Sequence, residues 1–227
     1  MKQFKTILFF TTIILFITSC TIRQEYHFNN DYSGSVKSSI DFGMFADMLD
    51  GDMSEYGLDG DFNMKDSLYN AFAATATELE NTGAKNIDFG SENNESVFFI
   101  YYEFDNIKIL NEILKVQDYT SSLLYGEDNS NIEYPHFEKK IFKKLIYHGG
   151  NSNSTNELDI GPDSEYYSMM AMLQMEIIFS FERKIKKTNN DNAEISENKH
   201  KAIFKTDFTK IMEDDFQKDI MFKLGKF

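Results

Sequence analysis

The chain has 227 residues, with 37 acidic against 23 basic side chains and a net charge of −14 at neutral pH. Such a body is repelled by phosphate backbones and by anionic headgroups, which argues against nucleic-acid binding and against membrane contact through a basic surface. One cysteine excludes intrachain disulfides and thiolate metal clusters, so stability has to come from a packed core, for which 22 Phe and 12 Tyr provide the material.

Residues 1–19 have the layout of a secretion signal. Lys2 and Lys5 precede an apolar run, Ile7 to Ile17, interrupted only by Thr11 and Thr12. The run falls short of the about 20 residues needed to span a bilayer. It closes on Ile17-Thr18-Ser19-Cys20, which resembles a bacterial lipobox: an aliphatic residue, two small residues, then cysteine. The resemblance implies a diacylglycerol on the Cys20 sulfur, cleavage just before Cys20, and a palmitate-type chain on the new amino group. Two or three acyl chains hold a protein on a membrane stably. Cys20 is the expected lipidation site, residues 20–24 the expected tether, and residues 25–227 a single α+β domain. Cleavage leaves 208 residues and, with Lys2 and Lys5 gone, takes the net charge from −14 to −16.

Tyr26 to Asn29 and Gly34 to Phe42 read as a hairpin. Val36, Ser38, Ile40 and Phe42 alternate with Ser35, Lys37, Ser39 and Asp41, and Asn30 to Ser33 supply turn chemistry. Residues 41–66 are acidic and glycine-punctuated, expected as a short helix and a mobile loop. Asp50, Asp52, Asp59 and Asp61 are the oxygen donors a Ca²⁺ site would use there. Read as an EF-hand loop from Asp50, the segment has Glu55 in place of the required Gly and Asp61 in place of the closing Glu. A solvated acidic loop is therefore the expectation, with no cofactor and no metal.

A helix is expected from Asp66-Ser67, with Leu68, Phe72, Ala76 and Leu79 on one face and Gly83 as its stop. Asp66-Ser67-Leu68 also matches a short O-glycan acceptor pattern, although capping explains the same residues. Lys85 to Phe89 and Ser96 to Phe104 are aromatic-rich strands. Asp105 is the expected cap of a helix to Val116, with Ile107, Leu110 and Leu114 inward. Residues 136–147 fit a helix or a hairpin, with β preferred. Residues 149–162 are a polar linker and the expected place for any subdomain boundary. The last 60 residues read as a β-meander, with strands at 172–183, 193–196, 201–208 and 218–224 and a basic turn region at 184–192.

Few chemical motifs stand out. Met169, Met170, Met172 and Met175 are expected as core or contact surface, because no His or Cys is near enough in sequence to complete a copper site. His27, His136, His148 and His200 show no zinc-helix spacing. Arg183, Lys184, Lys186 and Lys187 form a basic cluster, expected as a solvated strand end. No nucleophile elbow, P-loop or dinucleotide fingerprint is present.

Two segments carry a family resemblance. Ile178 to Lys186, Asn189-Asn190 and Ala193 to Ser196, together with Tyr26 to Phe28 and Ser33 to Val36, resemble uncharacterised envelope lipoproteins, including the LppM-like group. The resemblance implies an α+β domain at the envelope with lipid or glycolipid contact. The expected fold is an antiparallel sheet with two or three helices on one face. The expected function is non-catalytic binding of an envelope lipid, glycan or protein. The alternatives are a hydrolase with a dispersed active site or an accessory subunit of an envelope complex. Thr21 after the cysteine is not the aspartate that retains lipoproteins at the inner membrane. The expected location is thus a cell membrane, held by the lipid anchor, and in a cell with two membranes the outer one, with the body facing the periplasm.

Overall fold

A computed structural model describes residues 20–43, 64–93, 96–116, 132–133, 135–140, 144–148, 151–152, 173–207 and 219–226. The fold is α+β. The strands are β1 (Cys20–Phe28), β2 (Gly34–Asp41), β3 (Lys85–Glu92), β4 (Val97–Phe104), β5 (Ile132–Glu133), β6 (His136–Lys140), β7 (Lys144–His148), β8 (Asn151–Ser152), β9 (Leu173–Phe181), β10 (Ile185–Thr188), β11 (Glu194–Ile195), β12 (Lys201–Asp207) and β13 (Asp219–Leu224). The helices are α1 (Met64–Thr82) and α2 (Ile107–Val116).

Seven strands form a large sheet in the order β11-β12-β9-β1-β2-β4-β3, and four form a smaller one in the order β10-β13-β7-β6. β5 and β8 pair separately. β1 lies in the middle of the large sheet, antiparallel to β2 and parallel to β9. The β1–β2 turn needs Gly34, because a Cβ there would sit 1.8 Å from the His27 carbonyl oxygen. Asp31 accepts hydrogen bonds from the Ser33 amide and hydroxyl in the same turn, and the Ser33 side chain holds its carboxyl below the usual range.

One face of the large sheet is covered, by two different layers. Over β1, β9 and β12 lies the small sheet. Tyr26, Phe28, Phe179, Phe181 and Phe204 interlock with Phe137, Tyr147 and Phe222, for example Tyr26–Phe137 at 5.0 Å edge-on and Phe179–Phe222 at 4.9 Å. Burial pushes the phenols of Tyr26 and Tyr102 well above their ordinary value, so both remain neutral. Over β3 and β4 lie the helices, contributing Leu79, Leu110, Ile113 and Leu114 to the same core. α1 ends as its sequence requires: Gly83 takes a positive φ of 94°, the Gly83 amide donates to the Glu80 carbonyl and the Ala84 amide to the Leu79 carbonyl. α2 is joined to the edge of the small sheet by Asn111. Its amide donates to the Phe137 carbonyl at 2.9 Å and its carbonyl accepts the Phe137 amide at 2.7 Å, taking the place of a neighbouring strand.

The structure differs from the sequence reading at several points, the smallest being that α1 begins at Met64, two residues before the expected Asp66. Residues 20–24, expected as a tether, are the first half of β1. Residues 185–188, expected within a turn, form β10. Asn106 rather than Asp105 caps α2, its side-chain oxygen accepting the Ile109 amide at 3.1 Å, while Asp105 pairs with Lys85. The carboxy-terminal strands are not one meander: β11 and β12 join the large sheet, and β10 and β13 the small one. The calcium candidates Asp50, Asp52, Asp59 and Asp61, together with Met169, Met170 and Met172, lie outside the described residues. Met175 is in β9 and packs against the core.

Candidate functional sites

Cys20 is the first residue of β1 and pairs with Leu173 of β9. Side chains alternate along a strand, so Cys20 projects to the same face as Tyr26 and Phe28, the face the small sheet covers. Its side chain is buried, and burial, followed by the nearby Asp41 charge, pushes the thiol up to about 11. A thiol held there is a poor nucleophile in the folded protein, because the thiolate is the reactive form.

The second candidate is the outer face of the small sheet, built by the same alternation. Phe137, Leu145, Tyr147, Ile220, Phe222 and Leu224 point inward and are buried. Their neighbours point outward in three rows. At the β6–β7 hairpin end, Lys140 pairs with Lys144, Lys144 with Lys223, and Lys223 with Lys187. A bulge between Ile185 and Lys187 brings Lys187 into this row. Adjacent strands are about 4.8 Å apart, so four lysines cross the sheet within about 14 Å. The next row holds Glu138, Ile146 and Met221 in direct register, the carboxylate exposed and the two apolar side chains partly exposed. The third holds His136, His148 and Asp219.

The rows differ in how their charges are met. His136 and His148 stack with ring centroids 4.5 Å apart. His148 Nδ1 lies 3.0 Å from Asp219 Oδ1, and its Nε2 lies 3.5 Å from Glu138 Oε2. Glu138 also receives Lys140 at 3.1 Å, and these contacts, Lys140 first, hold its carboxyl below the usual range. Among the described residues, no carboxylate forms an ion pair with Lys144, Lys187 or Lys223. Like charges directly opposite one another destabilise a sheet, so this row is held against its own repulsion.

The basic cluster of the sequence divides. Arg183 is buried: its guanidinium donates to the Asn30 carbonyl and lies 5.1 Å from the Tyr32 ring, with the Lys139 ammonium also 4.5 Å from that ring. It fixes the β1–β2 turn. Lys184, Lys186 and Lys187 are exposed, and only Lys187 joins the row. His27 lies exposed on β1, and His200 Nδ1 sits 2.8 Å from the Phe181 carbonyl oxygen in the turn before β12. Sequence reasoning missed the His136–His148 stack and the lysine row. Both are products of register, which no local spacing encodes.

Among the described residues, no group of three or more His, Cys, Asp or Glu side chains is arranged to hold a metal ion, and no helix is long and apolar enough to cross a membrane. No family model and no curated protein matches the sequence. Among solved structures, the NMR structure of the folded domain of Mycobacterium tuberculosis LppM is similar at a TM-score of 0.40 and 10% identity, over 90% of this chain and 88% of that one.

Proposed function

We propose that the chain is an envelope lipoprotein, anchored by acyl chains at Cys20, whose α+β body works by binding rather than by catalysis. The observation that carries the reading is a coincidence of position. The sole cysteine of the sequence ends a signal-like segment and also lies within the central strand of the fold, paired with Leu173 of β9. Cleavage before Cys20 releases a chain whose first residue is already part of the sheet. The anchor and the body are then joined without a linker, so the acyl chains set the body's position relative to the bilayer. Thr21 in the position after the cysteine favours an outer membrane, with the body in the periplasm. The ligand belongs to the envelope: a lipid, a glycan or a protein.

Acylation is expected to precede folding, since the sulfur is buried in the folded chain. In an unacylated chain the folded thiol, lifted from 9.0 to about 11, carries about a hundredfold less thiolate at neutral pH than the unfolded one. Labelling by a thiol reagent is expected to be slow before, and fast after, denaturation; equal rates contradict the buried placement. The anchor itself is tested by intact mass of the native protein and by metabolic palmitate labelling. Cys20→Ser is expected to abolish labelling and to leave the signal uncleaved. Labelling that survives this substitution rules the anchor out.

A further inference from the structure

We infer that the outer face of the small sheet is a docking surface for anionic lipid headgroups, with the row Lys140-Lys144-Lys223-Lys187 as its contact line. The inference deepens the binding reading above by naming the class of ligand, and it is testable without the anchor.

The charge argument comes first. In a chain of net charge −14, four ammonium groups stand in direct cross-strand register, and three of them have no ion-pair partner among the described residues. An anionic partner removes the repulsion that the row imposes on the sheet. The acidic balance of the body does not prevent this contact, because at physiological salt charges beyond about 8 Å are largely screened and the nearest charges decide.

The shape argument selects a surface over a soluble ion. A four-stranded sheet presents its lysines along a line rather than around a cavity, which suits many headgroups at once rather than one enclosed phosphate. Ile146 and Met221 form an apolar step beside the lysines, the pattern of a face that rests at a headgroup boundary, and the two carboxylates of the face, Glu138 and Asp219, are met by Lys140 and His148.

Position supplies the third argument. Cys20 projects to the side of the large sheet on which the small sheet lies. β1 runs about 26 Å from Cys20 to Phe28, and the lysine row lies near the far end: neighbouring Lys139 rests on Tyr32 in the β1–β2 turn, and the Gly225 amide, just beyond β13, donates to the Lys184 carbonyl at 2.8 Å. A body laid on its side thus offers one bilayer two attachments, the acylated sulfur at one end and the lysines at the other. The acyl chains hold the protein on the membrane, and the lysine row sets its tilt.

The test uses the chain from residue 20 onward with Cys20→Ser, which contains every described element and lacks acyl chains. Cosedimentation is measured with vesicles of phosphatidylcholine alone and of phosphatidylcholine with phosphatidylglycerol in equal parts. Binding is expected only to the anionic vesicles, with release as salt rises. Each lysine near an anionic surface is worth about fivefold in affinity, so Lys144→Gln with Lys223→Gln is expected to weaken binding by at least about tenfold. Circular dichroism and the melting temperature establish that the variant is folded; substituting the exposed Lys186 and Lys226 outside the row is expected to have the smaller effect. Equal binding to both vesicles, or binding that the double variant leaves unchanged, overturns the inference. So does binding of soluble polyphosphate through the same lysines with no vesicle binding, which assigns the row to a free polyanion. None of these failures touches acylation at Cys20, and failure of acylation leaves the vesicle result standing.

Discussion

The two faces of the small sheet are made by the same four strands and have opposite character. The inner face is aromatic and closed: Phe137, Tyr147 and Phe222 fill the space above Tyr26, Phe28 and Phe179. The outer face carries lysines in register, two apolar side chains and a histidine pair. Alternate residues of one strand thus serve different ends. The inner ones determine that the sheet forms, and the outer ones bear a charge arrangement that folding alone does not favour. Core packing and surface charge are separated by a single residue step.

Substitutions on the two faces sharpen this contrast. The largest effect is expected for Phe179→Ala, which removes a fully buried ring that meets Tyr26, Phe137, Tyr147, Phe204 and Phe222. A loss of about 3–5 kcal/mol in chemical denaturation is expected, and a loss under about 1 kcal/mol means the two sheets do not share this core. Asn111→Ala is next. It strips both partners from the Phe137 backbone in a partly buried setting, at an expected cost of about 1–3 kcal/mol. Asn111→Asp keeps the acceptor but loses the donor and is expected to fall between.

The outer face should respond with the opposite sign. Lys144→Gln relieves repulsion from Lys140 and Lys223 and is expected to raise stability by about 0.5 kcal/mol, with the gain shrinking as salt is added. A loss of stability would mean that the row is neutralised by groups outside the described residues. The smallest effect concerns Glu138. Its folded value is depressed, so its contribution is complete above the ordinary carboxylate range and disappears as pH falls through that lower value. Glu138→Gln is expected to flatten the acid limb of the stability curve slightly and to leave neutral stability almost unchanged.

Much of the fold was legible in the sequence. The alternation in 34–42, the turn chemistry of 29–34, the helical face of Leu68 to Leu79 and the stop at Gly83 are local signals, and each led to the right element. The aromatic density of 97–104 and 173–181 led to strands for the same reason. What local signals do not carry is partnership. The polar segment Ile185 to Thr188 has only one buried residue before its threonine, Ile185, and becomes a strand because β13 pairs with it. β13 itself reads as the next strand of a meander, yet leaves for the other sheet, where Ile220 and Phe222 find an aromatic layer. Asp105 and Asn106 are both good caps by residue type, and only the path of the chain decided between them. Cys20 was visible as a residue at the end of a signal-like segment, whereas its place in a central strand followed from pairing with β9, some 150 residues later. The lysine row was the least visible feature of all. Its members stand in four separate strands, and only the hydrogen-bond register lines them up.

The central placement of β1 also bears on the order in which such a chain folds. Its two neighbours in the sheet are β2, which follows at once, and β9, which begins at Leu173. Until that distant stretch has been synthesised, the leading strand has one side open, so the large sheet cannot close during most of synthesis. High contact order of this kind slows folding and leaves a strand edge exposed to other chains. A nascent chain that stalls before residue 173 would be an unclosed half-sheet, a natural substrate for chaperones and proteases. The proposed acylation at Cys20, by contrast, has the whole of that interval in which to reach the sulfur.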